Sequence, residues 1–237
     1  MRAATYHDRK DIRVEDVEPK SVSGGQVCID IDSCGICGSD FHEYTAGPIF
    51  VPGEEPHTVS QETAPIRMGR EFSGTISEVD ESVTGLERSD AVAINPILYC
   101  GECRQCQEGD YHICDSVEFL ELSGGGGRFA ESVVLDAEHA VTLGDDVPFE
   151  YGALVESLSV ALHAVRRSGL CAGDAVAVFG AGPVELAVIQ CARAADAGTI
   201  FVSEPRDARR ERAPDCGADN LADPESDHIK ILVKPSE

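Results

Sequence analysis

Along residues 1–150 the apolar positions recur in short alternating runs interrupted by Gly and Pro, as in QVCIDIDS, EFSGTISEV, DAVAINPIL and FAESVVL. A half-buried strand sends successive side chains to opposite faces, so this alternation predicts an all-β region, a partly open barrel. From Pro148 the segments lengthen: PFEYGALVESLSVALHAVRRSG has few breakers and reads as helix, and CAGD then introduces the apolar run AVAVFG. A Gly-rich turn, the helix PVELAVIQCARAADAG, the strand TIFVSEP and a third helix, RDARRERAPDCGA, follow. A strand-helix-strand-helix order predicts a parallel sheet. The expected architecture is therefore α+β followed by α/β, with a β-rich domain over 1–150 and a second domain over 151–237. No internal repeat or low-complexity linker is present, only a carboxylate-rich loop near Glu54, Glu55 and Glu62.

The 237 residues suffice for two modest domains. Charge adds a second constraint. There are 43 Asp and Glu against 19 Lys and Arg, a formal net charge of -24, and the lysines are Lys10, Lys20, Lys230 and Lys234. Surface carboxylate in such excess keeps a protein hydrated in concentrated salt, where screening shortens self-repulsion to a few ångströms. A halophilic cytoplasmic protein is expected, with an acidic mesophilic one as the alternative, and nucleic acid is excluded as a natural partner. No apolar run approaches the ~20 residues of a membrane span, and MRAATYHDRK lacks the apolar core of a signal peptide. A membrane partner is not expected either. Ten cysteines in a reducing compartment argue for metal binding before disulfides.

Four of those cysteines cluster. YCGECRQCQEGDYHIC places Cys100, Cys103, Cys106 and Cys114 so that thiolates on a tight loop converge on one tetrahedral ion and a fourth returns to close the shell. A closed four-sulfur shell leaves no position for substrate. Its expected role is to hold a lobe, about residues 96–116, around a structural zinc.

CGICGSDFHEY, GREFSG, the four-cysteine lobe, GGGGRFAE, GALVESLSVALHAV, VFGAGPVELAVIQ and FVSEP occur in this order over nearly the whole chain. In this ordered set the sequence resembles the medium-chain zinc alcohol dehydrogenases, most of all their butanediol and sorbitol dehydrogenase branch. The resemblance implies a GroES-like partly open β-barrel catalytic domain, a Rossmann domain after it, a catalytic zinc at the cleft, and hydride transfer between a small alcohol, polyol or ketone and NAD. It also admits a homo-oligomer. By position it implies that Cys37 and Glu156 are ligands of the catalytic zinc, that Ser39 takes the alcohol proton, and that His42 passes it to solvent. A mixed sulfur and oxygen shell with an open position would make zinc a Lewis acid toward the substrate oxygen.

Several positions depart from the family. GREFSG has Arg70 where the family has a His ligand, and a guanidinium offers no lone pair. A unit charge ~5 Å from a divalent ion costs about 6 kcal/mol at an effective dielectric near 20. Either Glu71 serves as the substitute ligand, or Arg70 pairs with Glu156 and the pocket is metal-free. GAGPVE supplies Gly180 and Gly182 of the dinucleotide fingerprint but Glu185 as its third position, and Glu204 at the end of the second strand suits the ribose hydroxyls of NAD. Arg206 keeps NADP open. Ser157 stands where the family usually carries Pro. A doubly wound domain uses about six parallel strands, whereas two clear strands and a candidate third are legible, so an incomplete, C-terminally truncated nucleotide domain is expected. Lys230 and Lys234 mark a compositional shift in the tail. Two functional classes follow: an NAD-linked zinc alcohol or polyol dehydrogenase impaired by Arg70 and Glu185, or a non-catalytic zinc-stabilised remnant or interaction module.

Overall fold

The structure is a computed structural model and describes residues 1–56, 61–120, 127 and 129–222. The chain divides into two compact units, Met1–Glu156 and Ser157–Glu237. Half of GGGGRFAE (residues 124–126 and 128) and the lysine-bearing tail lie outside the described residues.

In the first unit, the alternating segments become strands: β1 (Arg2–Asp8), β2 (Asp11–Asp16) and β3 (Gln26–Gly35), then helix α1 (Gly38–Ala46), then β4 (Ile66–Arg67) and β5 (Glu71–Val79). β6 (Ala91–Ile94), β7 (Ile97–Leu98), the short helix α2 (Arg104–Gln107), β8 (Glu118–Phe119), β9 (Ser132–Asp136), β10 (Ala140–Thr142) and α3 (Phe149–Ala153) complete it. The main sheet has the order β10-β6-β5-β3-β9, all antiparallel. A second sheet runs β2-β1-β4, and β7 pairs β8 at the base of the cysteine lobe. DAVAINPIL was continuous in the alternation, but it divides at Pro96, which cannot donate to a ladder; Asn95 Oδ1 instead accepts the N–H of Ile97 at 3.2 Å. The period of two places Val27, Ile29, Phe72, Ile76, Val92 and Val133 on the buried face of the main sheet. Each such side chain contributes roughly 1.5–3 kcal/mol of burial.

Helix α1 follows a β-strand end directly, and its start is fixed by Asp40, whose Oδ2 accepts the N–H of Cys37 at 2.7 Å. Glu43, on the same helix, is fully buried. Its carboxylate turns back on the following loop and accepts the N–H of Ile49 at 3.0 Å, that of Val51 at 3.3 Å, and that of Phe50. The Tyr6 hydroxyl donates to the Glu43 carbonyl at 3.4 Å. Burial, then the nearby Glu43 and Asp8 carboxylates, push the Tyr6 phenol upward.

The second unit follows the helix period. Helix α4 (Val155–Ser168) begins at the junction and leads to β11 (Ala175–Phe179), α5 (Pro183–Ala194), β12 (Thr199–Ser203), α6 (Asp207–Arg210) and β13 (Asn220–Leu221). β11, β12 and β13 form a parallel sheet in that order, half of a doubly wound arrangement. Val178, Ile189, Ala192, Ile200, Val202 and Ala213 make its core. The third helix is shorter than RDARRERAPDCGA suggests. α6 has four residues, and a single 3-10 turn over Pro214–Cys216 follows, because Pro214 has no N–H to continue the ladder. No helix among the described residues is long and apolar enough to cross a membrane.

Candidate functional site

The cysteine lobe is built for one ion. The hairpin β7–β8 brings its ends together; Cys100 and Cys103 flank a turn, Cys106 lies on α2, and Cys114 closes a 3-10 turn over Tyr111–Ile113. The four sulfur atoms lie within 4.8 Å of one another. Individual separations are 3.5 Å for Cys103–Cys106, 3.8 Å for Cys103–Cys114 and 3.5 Å for Cys114–Cys100. Four sulfurs each ~2.3 Å from a tetrahedral zinc stand about 3.8 Å apart, so the donor set fits zinc in both chemistry and spacing. Backbone N–H groups of Cys100 and Ser116 approach the Cys114 sulfur at 3.4 and 3.3 Å, and that of Cys103 approaches the Cys100 sulfur at 3.3 Å. Such donors stabilise thiolates. Backbone N–H donation by Asp115 and Cys106 brings the Cys103 thiol down to about 6, while burial and the neighbouring thiols push Cys106 up to about 12.

The pocket expected to hold a second ion has different occupants. Cys37 caps α1, Arg70 precedes β5, and Glu156 lies in the first turn of α4. Arg70 Nη2 donates to Cys37 Sγ at 3.2 Å, and Arg70 Nε stands 3.9 Å from Glu156 Oε1. The guanidinium carbon lies 4.8 Å from the centre of the Phe119 ring, a cation-π contact. Glu71 is buried, and its Oε2 comes within 2.7 Å of where a Cβ on Gly35 would sit, so this side chain packs over the neighbouring strand. Among the described residues, Cys37, Glu71 and Glu156 do not form a metal-binding group. With a cation already between sulfur and carboxylate, the residues present do not fit a catalytic zinc. Ser39 and His42 stand one helical turn apart on α1, as neighbours on one face. The Ser39 Oγ is buried with no hydrogen-bond partner among the described residues, and His42 is exposed.

In the second unit the glycine turn lies between β11 and α5. Gly180 has φ +108, a conformation that L side chains rarely adopt, and Gly182 caps α5 with Pro183 at its first position. Glu185 folds back over this turn, its Oε2 only 2.7 Å from where a Cβ on Gly182 would lie. A carboxylate at the N-terminus of a helix is favoured by the dipole and the free N–H groups, but it occupies ground a pyrophosphate would need. Glu204, at the end of β12, is buried; its Oε2 accepts the N–H of Ala181 at 2.9 Å and its Oε1 that of Arg206 at 2.8 Å. Those two donors hold the Glu204 carboxyl below the usual carboxylate range. Arg206 is exposed. The turn and Glu204 fit an adenosine ribose, and Glu185 as placed does not fit the phosphates.

Three contacts around these sites cannot be read from the motifs. Phe119 and Arg70 are 49 positions apart and meet only through the fold. Glu43 looks like one more carboxylate in an acidic chain until its three amide partners are seen. Arg209 Nη1 lies 3.7 Å from the Gly182 Cβ position; the only trace of it in the sequence is the arginine-rich run after Glu204.

The family described as Alcohol dehydrogenase GroES-like domain matches residues 23–145. Over 237 residues the chain is 44% identical to (R,R)-butanediol dehydrogenase of Bacillus subtilis (strain 168), covering all of this chain and 64% of that protein. Sorbitol dehydrogenase of the same organism is 34% identical over 221 residues, 93% of this chain and 60% of that protein. The crystal structure of 2R,3R-butanediol dehydrogenase from Bacillus subtilis superimposes with a TM-score of 0.90, covering 96% of this chain and 65% of that one. Galactitol-1-phosphate dehydrogenase from Escherichia coli gives a TM-score of 0.83 at 30% identity, over 93% of this chain and 60% of that one. The chain thus spans less than two thirds of the length of these relatives.

Proposed function

Because this chain belongs to the medium-chain zinc alcohol dehydrogenase family, marked by its GroES-like domain, we propose that its two units are the catalytic and nucleotide-binding parts of an NAD-linked oxidoreductase for small diols or polyols, with one structural zinc in the cysteine lobe. The single observation carrying the nucleotide assignment is Glu204, whose buried carboxylate stands against the Ala181 N–H inside the glycine turn. A carboxylate at that place hydrogen-bonds a ribose diol and repels a 2′-phosphate, which favours NAD over NADP. When bound, the nicotinamide accepts the hydride; this chain's own residues bind and orient it. Ser39, with its unpartnered buried hydroxyl, is the group proposed to receive the alcohol proton, and exposed His42, one turn along α1, to deliver it to water. The net charge of -24 supports work in concentrated salt inside the cell, and the oligomeric assembly of a dehydrogenase is part of the same reading.

Arg70 and Glu185 favour a second reading, a zinc-stabilised module that no longer turns over alcohol. Fluorescence titration of NADH and NADPH, with the parent chain and Glu185→Gln, separates the two. The full Coulomb repulsion of a phosphate charge at ~5 Å is about 3 kcal/mol at an effective dielectric of 20. Glu185 is half-buried, so solvent screening leaves about 1 kcal/mol of this, a gain of roughly three- to tenfold in NADH affinity for the variant. Tighter binding of NADPH would overturn the NAD assignment. Failure of both nucleotides to bind both proteins would favour the non-catalytic module. Oxidation of butanediol or sorbitol in molar salt then tests the substrate class.

A further inference from the structure

We propose that in this chain the Arg70 guanidinium replaces the second metal ion: Cys37 and Glu156 are bridged by a fixed organic cation, and the pocket excludes zinc. The inference stands on the geometry of the first unit and does not depend on whether the chain oxidises any alcohol.

Three contacts in three directions support it. An N–H of Nη2 meets the Cys37 sulfur at 3.2 Å, Nε stands 3.9 Å from the Glu156 carboxylate, and the guanidinium carbon lies over the Phe119 ring, 4.8 Å from its centre. A planar cation with a fork of donors satisfies a thiol, a carboxylate and an aromatic ring together, and an ammonium does not. The Arg70 and Glu156 side chains are only 14% and 15% exposed. In that setting a charge is retained only when paired. Cys37 and Glu156, the groups a metal would use, already face the guanidinium. A zinc joining Cys37 to Glu156 would need to lie ~2.3 Å from the sulfur and ~2.0–2.2 Å from an oxygen, in the volume the guanidinium atoms fill.

The substitution is also chemically specific. Zinc would give the pocket an open coordination position and an electrophile toward an alcohol oxygen. The guanidinium gives it charge without an open coordination position. Cys37 is therefore a hydrogen-bond acceptor in this chain.

Zinc content of the purified full chain, equilibrated with zinc and then dialysed, tests this without any activity measurement. The parent is expected to hold about one zinc, in the cysteine quartet, and Cys37→Ser is expected to hold the same. Arg70→His should hold about two, fall back to one in the Arg70→His, Cys37→Ser double variant, and gain a zinc-dependent rise in melting temperature that the parent lacks. Arg70→Lys, which keeps the charge, should remain at one. A parent with two zincs, one of which disappears in Cys37→Ser, would overturn the proposal and needs no Arg70 variant to fold. A folded Arg70→His that still holds one zinc would overturn it too, because the arginine would then not be what keeps the metal out.

Discussion

Replacing Glu43 by Gln removes one charge and almost no volume, and its cost follows from the carboxylate's partners. The Ile49 N–H is shared between Oε2 at 3.0 Å and Oε1 at 3.1 Å, and Oε1 also accepts those of Phe50 and Val51. A glutamine can place its one carbonyl oxygen at the Oε1 position, within reach of all three N–H groups, but its amide nitrogen then stands at the Oε2 position beside the Ile49 N–H, donor against donor. The three bonds to the remaining oxygen each lose roughly half of a charge-assisted value of about 1.5–3 kcal/mol, and the apposed donors add a small repulsion. Relief of the buried charge returns part of this, leaving a net loss of about 2 kcal/mol, a large share of the ~5–15 kcal/mol that holds a domain together. Glu43→Ala adds a cavity and should cost more. The chain has no Trp, so urea unfolding is best followed by far-UV circular dichroism at fixed salt. Both variants should keep their zinc. A Glu43→Gln protein within about 0.5 kcal/mol of the parent, at unchanged m value, would show that the loop over residues 49–51 is held by something other than this carboxylate.

Changing Cys106→Ser should reduce zinc from about one per chain to well under half after mild chelation, and make residues 96–116 sensitive to limited proteolysis, since structural zinc contributes about 10–16 kcal/mol of apparent binding free energy in small modules; retention of zinc by the variant would exclude this cysteine as a ligand. Glu204 predicts a pH dependence. Its carboxyl is held below its ordinary 4.5 by the Arg206 and Ala181 N–H groups, so its contribution is complete above that value and is lost as pH falls through the lower folded value. Glu204→Gln should therefore flatten the acid limb of melting temperature against pH; an unchanged acid limb would count against the tether.

The sequence made the strands around EFSGTISEV and the helix PVELAVIQCARAADAG legible because burial on one face imposes a period, and β5 (Glu71–Val79) and α5 (Pro183–Ala194) follow it closely. The thiol quartet was legible for a related reason: ligands of one ion must return to one point over a short loop. The shortness of α6 was less visible, since the four arginines of RDARRER suit a helix and only Pro214 speaks against it. Nor could spacing choose between the two fates of Arg70, pairing with Glu156 or leaving Glu71 to bind metal. That choice depends on Phe119 and Glu156 arriving from distant strands and helices. Sites assembled from one segment can be read from it, whereas sites assembled from four require the fold.

Glu185 gives the glycine turn the character of a site with a tethered competitor. A group on a short flexible link acts at an effective concentration in the millimolar range, so its carboxylate, already folded over Gly182, contends with any free anion for the same helix N-terminus. Phosphate, sulfate and chloride must each displace a ligand that never diffuses away. Only a molecule with a second foothold, such as a ribose on Glu204, can add enough binding to turn that side chain aside, and the turn thereby discriminates a dinucleotide from simple anions.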